Sequence, residues 1–316
     1  MKLKEIYELA INLGKESDPR EQSQIAKLLA DLKKNYEEAK SEEKDEFDQE
    51  KLSNPYSDTR ILYGNPDKEV KRILVGIDID GSELLLADRL RERGEAIDLV
   101  IAHHPEGKAL ANLHHVMHLQ EEILHGLGIS INVAEGILAG RISEVERGLL
   151  PLNHNRAVDF ARILDISFMC CHTPADNMVS MYLNKLFSEK KPETVGDIIK
   201  VIKEIPEYKQ AMEVGAGPRA ILGSKKRRAG KIFVDMTGGT SGSPEIYAKL
   251  SQAGVGTIVG MHMGDKHRKE AEKSHLNVII AGHLASDSLG MNLILDKIAA
   301  QGVEIVPCSG MIRIER

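Results

Sequence analysis

The sequence predicts an α/β protein on a mostly parallel sheet, with a helical appendage at its N-terminus. Three observations predict it. From about residue 58 onward, short β-branched runs alternate with amphipathic helical segments, the order that produces βαβ units. Several of these runs end in histidine, in two sets that resemble each other, which points to a duplicated α/β half. Residues 1–57 lack such runs and carry helical periodicity instead.

The elements follow in order. Leu3, Ile6, Leu9, Ala10 and Leu13 make one apolar stripe, and Ile25, Leu28, Leu29, Leu32 and Tyr36 make another, so two helices are expected. Asp18 before Pro19 reads as the cap and first turn of the second helix. The stretch EEAKSEEKDEFDQEK is nearly all charge and belongs in solvent. RILYG (60–64) and KRILVGID (71–78), split by Asn65-Pro66-Asp67, suggest a hairpin or a strand entering a sheet. A helix over 82–93 and the strand DLVIAHH (98–104) complete a βαβ unit. The pattern recurs with strands at 231–237, 257–262 and 277–283. Helices near 244–253, 266–274 and 287–300 follow, with short strands near 303–307 and 311–314.

Composition narrows the function. The 316 residues suit one large domain or two intimate ones, and 42% are hydrophobic, enough for a sizeable core. Lys plus Arg number 42 against 48 Asp plus Glu, a net charge of −6 that disfavours general nucleic-acid binding. Aromatic residues are 4% and Trp is absent, so stacking platforms are scarce. The three cysteines, Cys170, Cys171 and Cys308, make neither a disulfide framework nor a thiolate zinc site, and a reducing cytoplasm is expected. No apolar run reaches the roughly 20 residues of a membrane span. The opening segment mixes Glu with Lys and lacks an apolar signal core.

Chemistry concentrates at the ends of the apolar runs. His103-His104-Pro105, His172-x-x-x-Asp176 and His283-x-x-x-Asp287 each sit just past a predicted strand. Loops beyond the carboxyl ends of parallel strands converge on one crevice, so motifs distant in sequence can meet there. A single histidine at a strand end is ordinarily a hydrogen-bonded structural residue, but three such motifs built from ligand types form a site. Four imidazoles and two carboxylates exceed one tetrahedral ion, and carboxylates can bridge two. Two divalent ions are therefore expected, and nitrogen and oxygen donors favour Zn, Mn, Fe or Co.

The segments IAHHP, HTPAD, GGTSGS, VGMHMGDKH and AGHLASD together resemble the NGG-interacting-factor-three-like family, often labelled type 2 GTP cyclohydrolase I. The likeness runs from about Asp58 to the C-terminus. It implies two intertwined, topologically similar α/β halves, approximately 58–190 and 191–316, with mostly parallel mixed sheets and a dinuclear centre between them. It implies His103, His104, Asp176 and His283 as ligands, with Asp287 where the family has Glu. It also implies ring-like homo-oligomers, commonly hexamers. The family's Thr-Gly-Glu is altered to Met263-Gly264-Asp265, and an extra helical stretch near 138–164 precedes HTPAD, marking a divergent member.

The expected function is metal-dependent hydrolysis of a small phosphate- or nucleotide-like ligand. His103, His104, His172, Asp176, His283 and Asp287 hold the metal in this reading, and Asp265 or His262 transfers protons. The alternative is a non-catalytic metal-binding or regulatory scaffold. The GGTSGS loop at 238–243 could hold an anion or serve as a tight packing turn. Lys225 to Arg228 read as a solvated basic loop, and His114, His118 and Glu122 as a polar helix face.

Overall fold

The computed structural model describes residues 1–316. Nine short strands arise from the apolar runs: β1 (Arg60–Tyr63), β2 (Arg72–Gly76), β3 (Leu99–Ala102), β4 (Ser167–Cys170), β5 (Arg219–Leu222), β6 (Lys231–Asp235), β7 (Val255–Gly260), β8 (Asn277–Ile280) and β9 (Glu304–Cys308). They form a five-stranded sheet of order β1-β4-β3-β2-β9 and a four-stranded sheet of order β5-β8-β7-β6. Four strands run parallel in the first and three in the second, each beside an antiparallel edge, β1 on β4 and β5 on β8. The two halves thus share one topology. They interlock because β9, from the end of the second half, pairs in parallel with β2 of the first.

The register sets up the site. Gly76, Ala102 and Cys170 lie level across the first sheet, and Asp235, Gly260 and Ile280 lie level across the second. Residues just past β3, β4, β7 and β8 therefore emerge along common edges. Two long helices continue from these edges, Thr173–Lys190 after β4 and His283–Ala299 after β8, and they pack on each other. Gly290 makes that approach possible, since a Cβ there would lie 2.2 Å from the Ala175 carbonyl oxygen.

Several sequence expectations change. β1 and β2 form no hairpin, because β4 and β3 lie between them. The almost wholly buried β2 needs two neighbours and takes an interior place, whereas half-exposed β1 tolerates an edge. Asp18 caps no helix: its buried carboxylate accepts from Tyr56 Oη at 2.8 Å and from Arg20, and the second helix, Gln22–Glu38, begins at a box formed by Glu21 and Gln24. Residues 311–314 form no strand, since Ile312 is held by Ser288 and Asn292 side chains instead. The insertion consists of the helices Ile131–Leu149 and Arg156–Ile163.

The first N-terminal helix, Leu3–Glu16, belongs to the main core. Leu3, Ile6 and Ala10 are buried in one cluster with Ile73, Val75, Ile101, Met291 and Leu295. The second helix buries only Ile25. No helix is long and apolar enough to cross a membrane.

Candidate metal centre

Each candidate ligand reaches the centre for a local reason. His103 and His104 follow β3 directly, and both are tied to the β2 edge, with His103 N–H donating to Gly76 O and His104 N–H to Ile77 O. That backbone turn brings both rings to one side of the sheet edge, their centroids 5.1 Å apart. His172 stands at the N-cap of the helix Thr173–Lys190, so Asp176 lies one turn along on the same face. His283 and Asp287 repeat this at the start of His283–Ala299. The His172 ring lies 4.9 Å from His103, and the His283 ring 5.2 Å from His104.

All six residues meet. Three donor groups form, His103–His104–His172, His104–His283–Asp287 and His103–Asp176–Asp287, with atoms within 4.8 Å of one another in each. His103 Nε2 is 3.5 Å from Asp176 Oδ1 and 3.6 Å from Asp287 Oδ1. Asp287 Oδ2 is 3.7 Å from His104 Nε2 and 3.5 Å from His283 Nε2. These spacings exceed a hydrogen bond. They match donors around a shared ion, because ligands about 2.1 Å from a tetrahedral metal stand roughly 3.4 Å apart.

Satisfaction of polar atoms gives the same answer. His103 Nε2, Asp176 Oδ1 and both Asp287 oxygens are buried without a hydrogen-bond partner. Burying a polar group unpaired costs about 1–3 kcal/mol, and more when it is charged, so a cation is the chemistry this donor set fits.

The outer hydrogen bonds fix the tautomers of three rings. His103 Nδ1 donates to the Cys171 carbonyl at 3.0 Å, His104 Nδ1 to Asp78 Oδ1 at 2.7 Å and His172 Nδ1 to Asp58 Oδ2 at 2.8 Å. Carbonyls and carboxylates only accept, so each Nδ1 carries the proton and each Nε2 presents its lone pair inward. Asp58 is fully buried and also accepts from Thr173 Oγ1 at 2.6 Å. Burial opposes its ionisation, but His172, Thr173 and Arg60 outweigh burial and hold it below the usual carboxylate range.

Charge within the cluster is divided unevenly. Burial, with Asp287 and Asp58 nearby, pushes Asp176 well above its ordinary value. Burial acts on Asp287 too, yet His103, His283 and His104 outweigh it and lower that carboxyl. His104 is pushed down to about 4 by burial and by His103 and His172. A neutral imidazole is the form that binds metal.

His262 lies beside the cluster, its ring 5.1 Å from His283, and burial followed by His283 lowers its pKa. It lines a pocket with His172, Asp176, His283, Asp287, Asp235 and the 238–243 loop. Asp265 does not join them. It starts the helix Asp265–Lys273, exposed, in ion pairs with Lys269 at 2.7 Å and Arg268, which engages its carboxylate elsewhere. His114 and His118 form no site, since a 3-10 turn over Leu113–Met117 breaks the helical spacing and His118 pairs with Glu121.

Sequence reasoning missed Asp58, Asp78 and Asp235. Asp78 and Asp235 obey the rule that found the histidines, a polar residue at or just past the end of an apolar strand. Asp58 precedes a strand, and nothing local marks it.

No family model matches the chain, and no curated protein matches it. Solved structures do. A NIF3 superfamily protein from Sphaerobacter thermophilus is 28% identical with a TM-score of 0.74, the match covering 82% of this chain and 93% of that one. The chain is similar to NIF3 superfamily proteins. Reduced HcgD from Methanocaldococcus jannaschii, 16% identical over 84% of this chain and 94% of its own, shares the fold at a TM-score of 0.51. Among the features of this NIF3-like chain, the His/Asp cluster could hold metal ions.

Proposed function

We propose that the protein is a dinuclear divalent-metal hydrolase acting on a small phosphate- or nucleotide-like substrate. The observation that carries this reading is the position of Asp287, which belongs to two of the three donor groups and faces different histidines with its two oxygens. His103 and Asp176 would hold one ion, His104 and His283 the other, with Asp287 shared and His172 completing the set. Zn, Mn, Fe or Co bound there would supply Lewis acidity and an activated water at neutral pH.

The chain's own residues do the rest. Asp58, Asp78 and the Cys171 carbonyl hold three imidazoles in orientation. His262, which lines the pocket, would move a proton at a ring nitrogen. Cys170 and Cys171 offer no competing nucleophile, because both are buried and burial pushes the Cys170 thiol up to about 12.

The proposal includes a metal-binding core over 58–316, a ring-like homo-oligomer such as a hexamer, and a cytoplasmic location in keeping with three unpaired cysteines. Elemental analysis tests its centre: two divalent ions per chain are expected, fewer in Asp287→Ala, with chelator abolishing turnover of nucleotides or phosphoesters. One ion or none at saturation refutes the dinuclear reading. Full loading without turnover across such a panel refutes the hydrolase and leaves a metal-binding scaffold.

A further inference from the structure

The Gly238-Gly239-Thr240-Ser241-Gly242-Ser243 loop lines, through Gly239 to Gly242, the pocket that His172, Asp176, His283 and Asp287 of the cluster also line. Its carbonyls accept from side chains of three helices distant in sequence, and two of those side chains, Gln120 and His267, line the pocket as well. Gln120 Nε2 donates to Gly238 O and Thr240 O, both at 2.6 Å. Arg141 Nε donates to Ser241 O at 3.0 Å, and His267 Nε2 to Gly242 O at 3.0 Å. Gly238 and Gly239 have φ of +106° and +84°, the left-handed region that lets the loop present its carbonyls to these donors.

Most of the loop's amides are left without an acceptor. Thr240 N–H donates to Gly238 O at 3.2 Å, but the N–H groups of Gly239, Ser241, Gly242 and Ser243 have no acceptor in the protein. Side chains from elsewhere thus hold a row of donors in place. The same pocket holds Asp176 and Asp287, whose buried oxygens lack partners and form the metal-binding wall opposite in chemistry. One wall suits cations and the other suits an anion.

We infer that the 238–243 loop binds the phosphate-like anionic group of a substrate whose remainder lies against the metal cluster. Successive backbone amides free of protein acceptors are a group by which proteins bind phosphate oxygens. The hydroxyls of Thr240 and Ser241 add two further donors on the pocket-lining segment. Asp235 opposes an arriving anion from the same pocket, and because burial pushes its carboxyl up to about 6, that repulsion weakens only as pH falls below neutral. The inference rests on the proposed hydrolase only in calling the anion part of a substrate.

Calorimetric titration with inorganic phosphate tests it, on metal-loaded and chelator-stripped protein, with metal content measured alongside. Gln120→Glu sets a carboxylate against the Gly238 and Thr240 carbonyls and releases the loop. Arg141→Ala removes one tie from the helix Ile131–Leu149, at a side chain that is not fully buried. Each variant should bind phosphate about tenfold more weakly in both states, the scale of one charge-assisted hydrogen bond, with metal content unchanged. Variants that lose phosphate affinity, from a wild type that holds fewer than two ions, support the loop and refute the dinuclear reading. Unchanged phosphate affinity in both variants overturns the inference, as does absence of phosphate binding by wild type or a fall in metal content in the variants.

Discussion

Asp58→Ala removes a residue that touches no metal in the proposed arrangement yet governs one that does. Asp58 Oδ2 accepts from His172 Nδ1 at 2.8 Å and from Thr173 Oγ1 at 2.6 Å. Without it, His172 loses the partner that fixes its tautomer, and both ring nitrogens compete for the proton. Such partners contribute about 10- to 100-fold in metal affinity, or roughly 1.4–2.7 kcal/mol. Asp58 is fully buried, so water cannot replace it, and the loss should approach the upper end. Asp78 does the same for His104 but is 69% exposed, so Asp78→Ala should fall near the lower end. Competition with a chromogenic chelator measures both, with thermal melting in chelator confirming the fold. Asp58→Asn keeps an acceptor oxygen without the charge and should recover part of the affinity. Affinity of Asp58→Ala within twofold of wild type would refute the reasoning.

Three further outcomes are expected. Gly290→Ala places a methyl 2.2 Å from the Ala175 carbonyl oxygen and forces apart the helices that carry Asp176 and Asp287. It should cost about 1–3 kcal/mol and weaken metal binding, and unchanged melting and affinity would contradict this packing. Ile6→Ala should cost about 2–5 kcal/mol as a core truncation, whereas Leu28→Ala, at a residue 37% exposed, should cost much less. Equal losses in denaturant melts would show that the first helix is no part of the core. Asp235 has its carboxyl raised from 3.8 to about 6 by burial, so its contribution to stability is fully present below about pH 4 and lost as pH rises through 6. Asp235→Asn should therefore match wild type in acid and exceed it above pH 6. A stability difference that does not change across that window would show that the Asp235 carboxyl titrates normally.

The α/β class, the duplicated grammar and the convergence of the three strand-end motifs are legible in the order of residues along the chain. These are local properties: a β-branched run makes a strand, and polar residues just past its carboxyl end must emerge at the sheet edge. The contacts that support them arise between residues far apart in the chain. Asp58 meets His172 across 114 residues of chain, a contact that no periodicity encodes. Sheet order placed β1 beside β4, because burial on both faces pulls apolar strands inward regardless of which strands are adjacent in sequence. The first helix looked like an arm because its stripe is amphipathic, and what that stripe covers depends on a groove built by strands and helices far along the chain. Asp265 and Asp287 are both carboxylates near a helix start, but one lies in solvent beside two cations and the other is buried among histidines. Burial and neighbours, which assign a carboxylate its chemistry, come into being only when the chain folds.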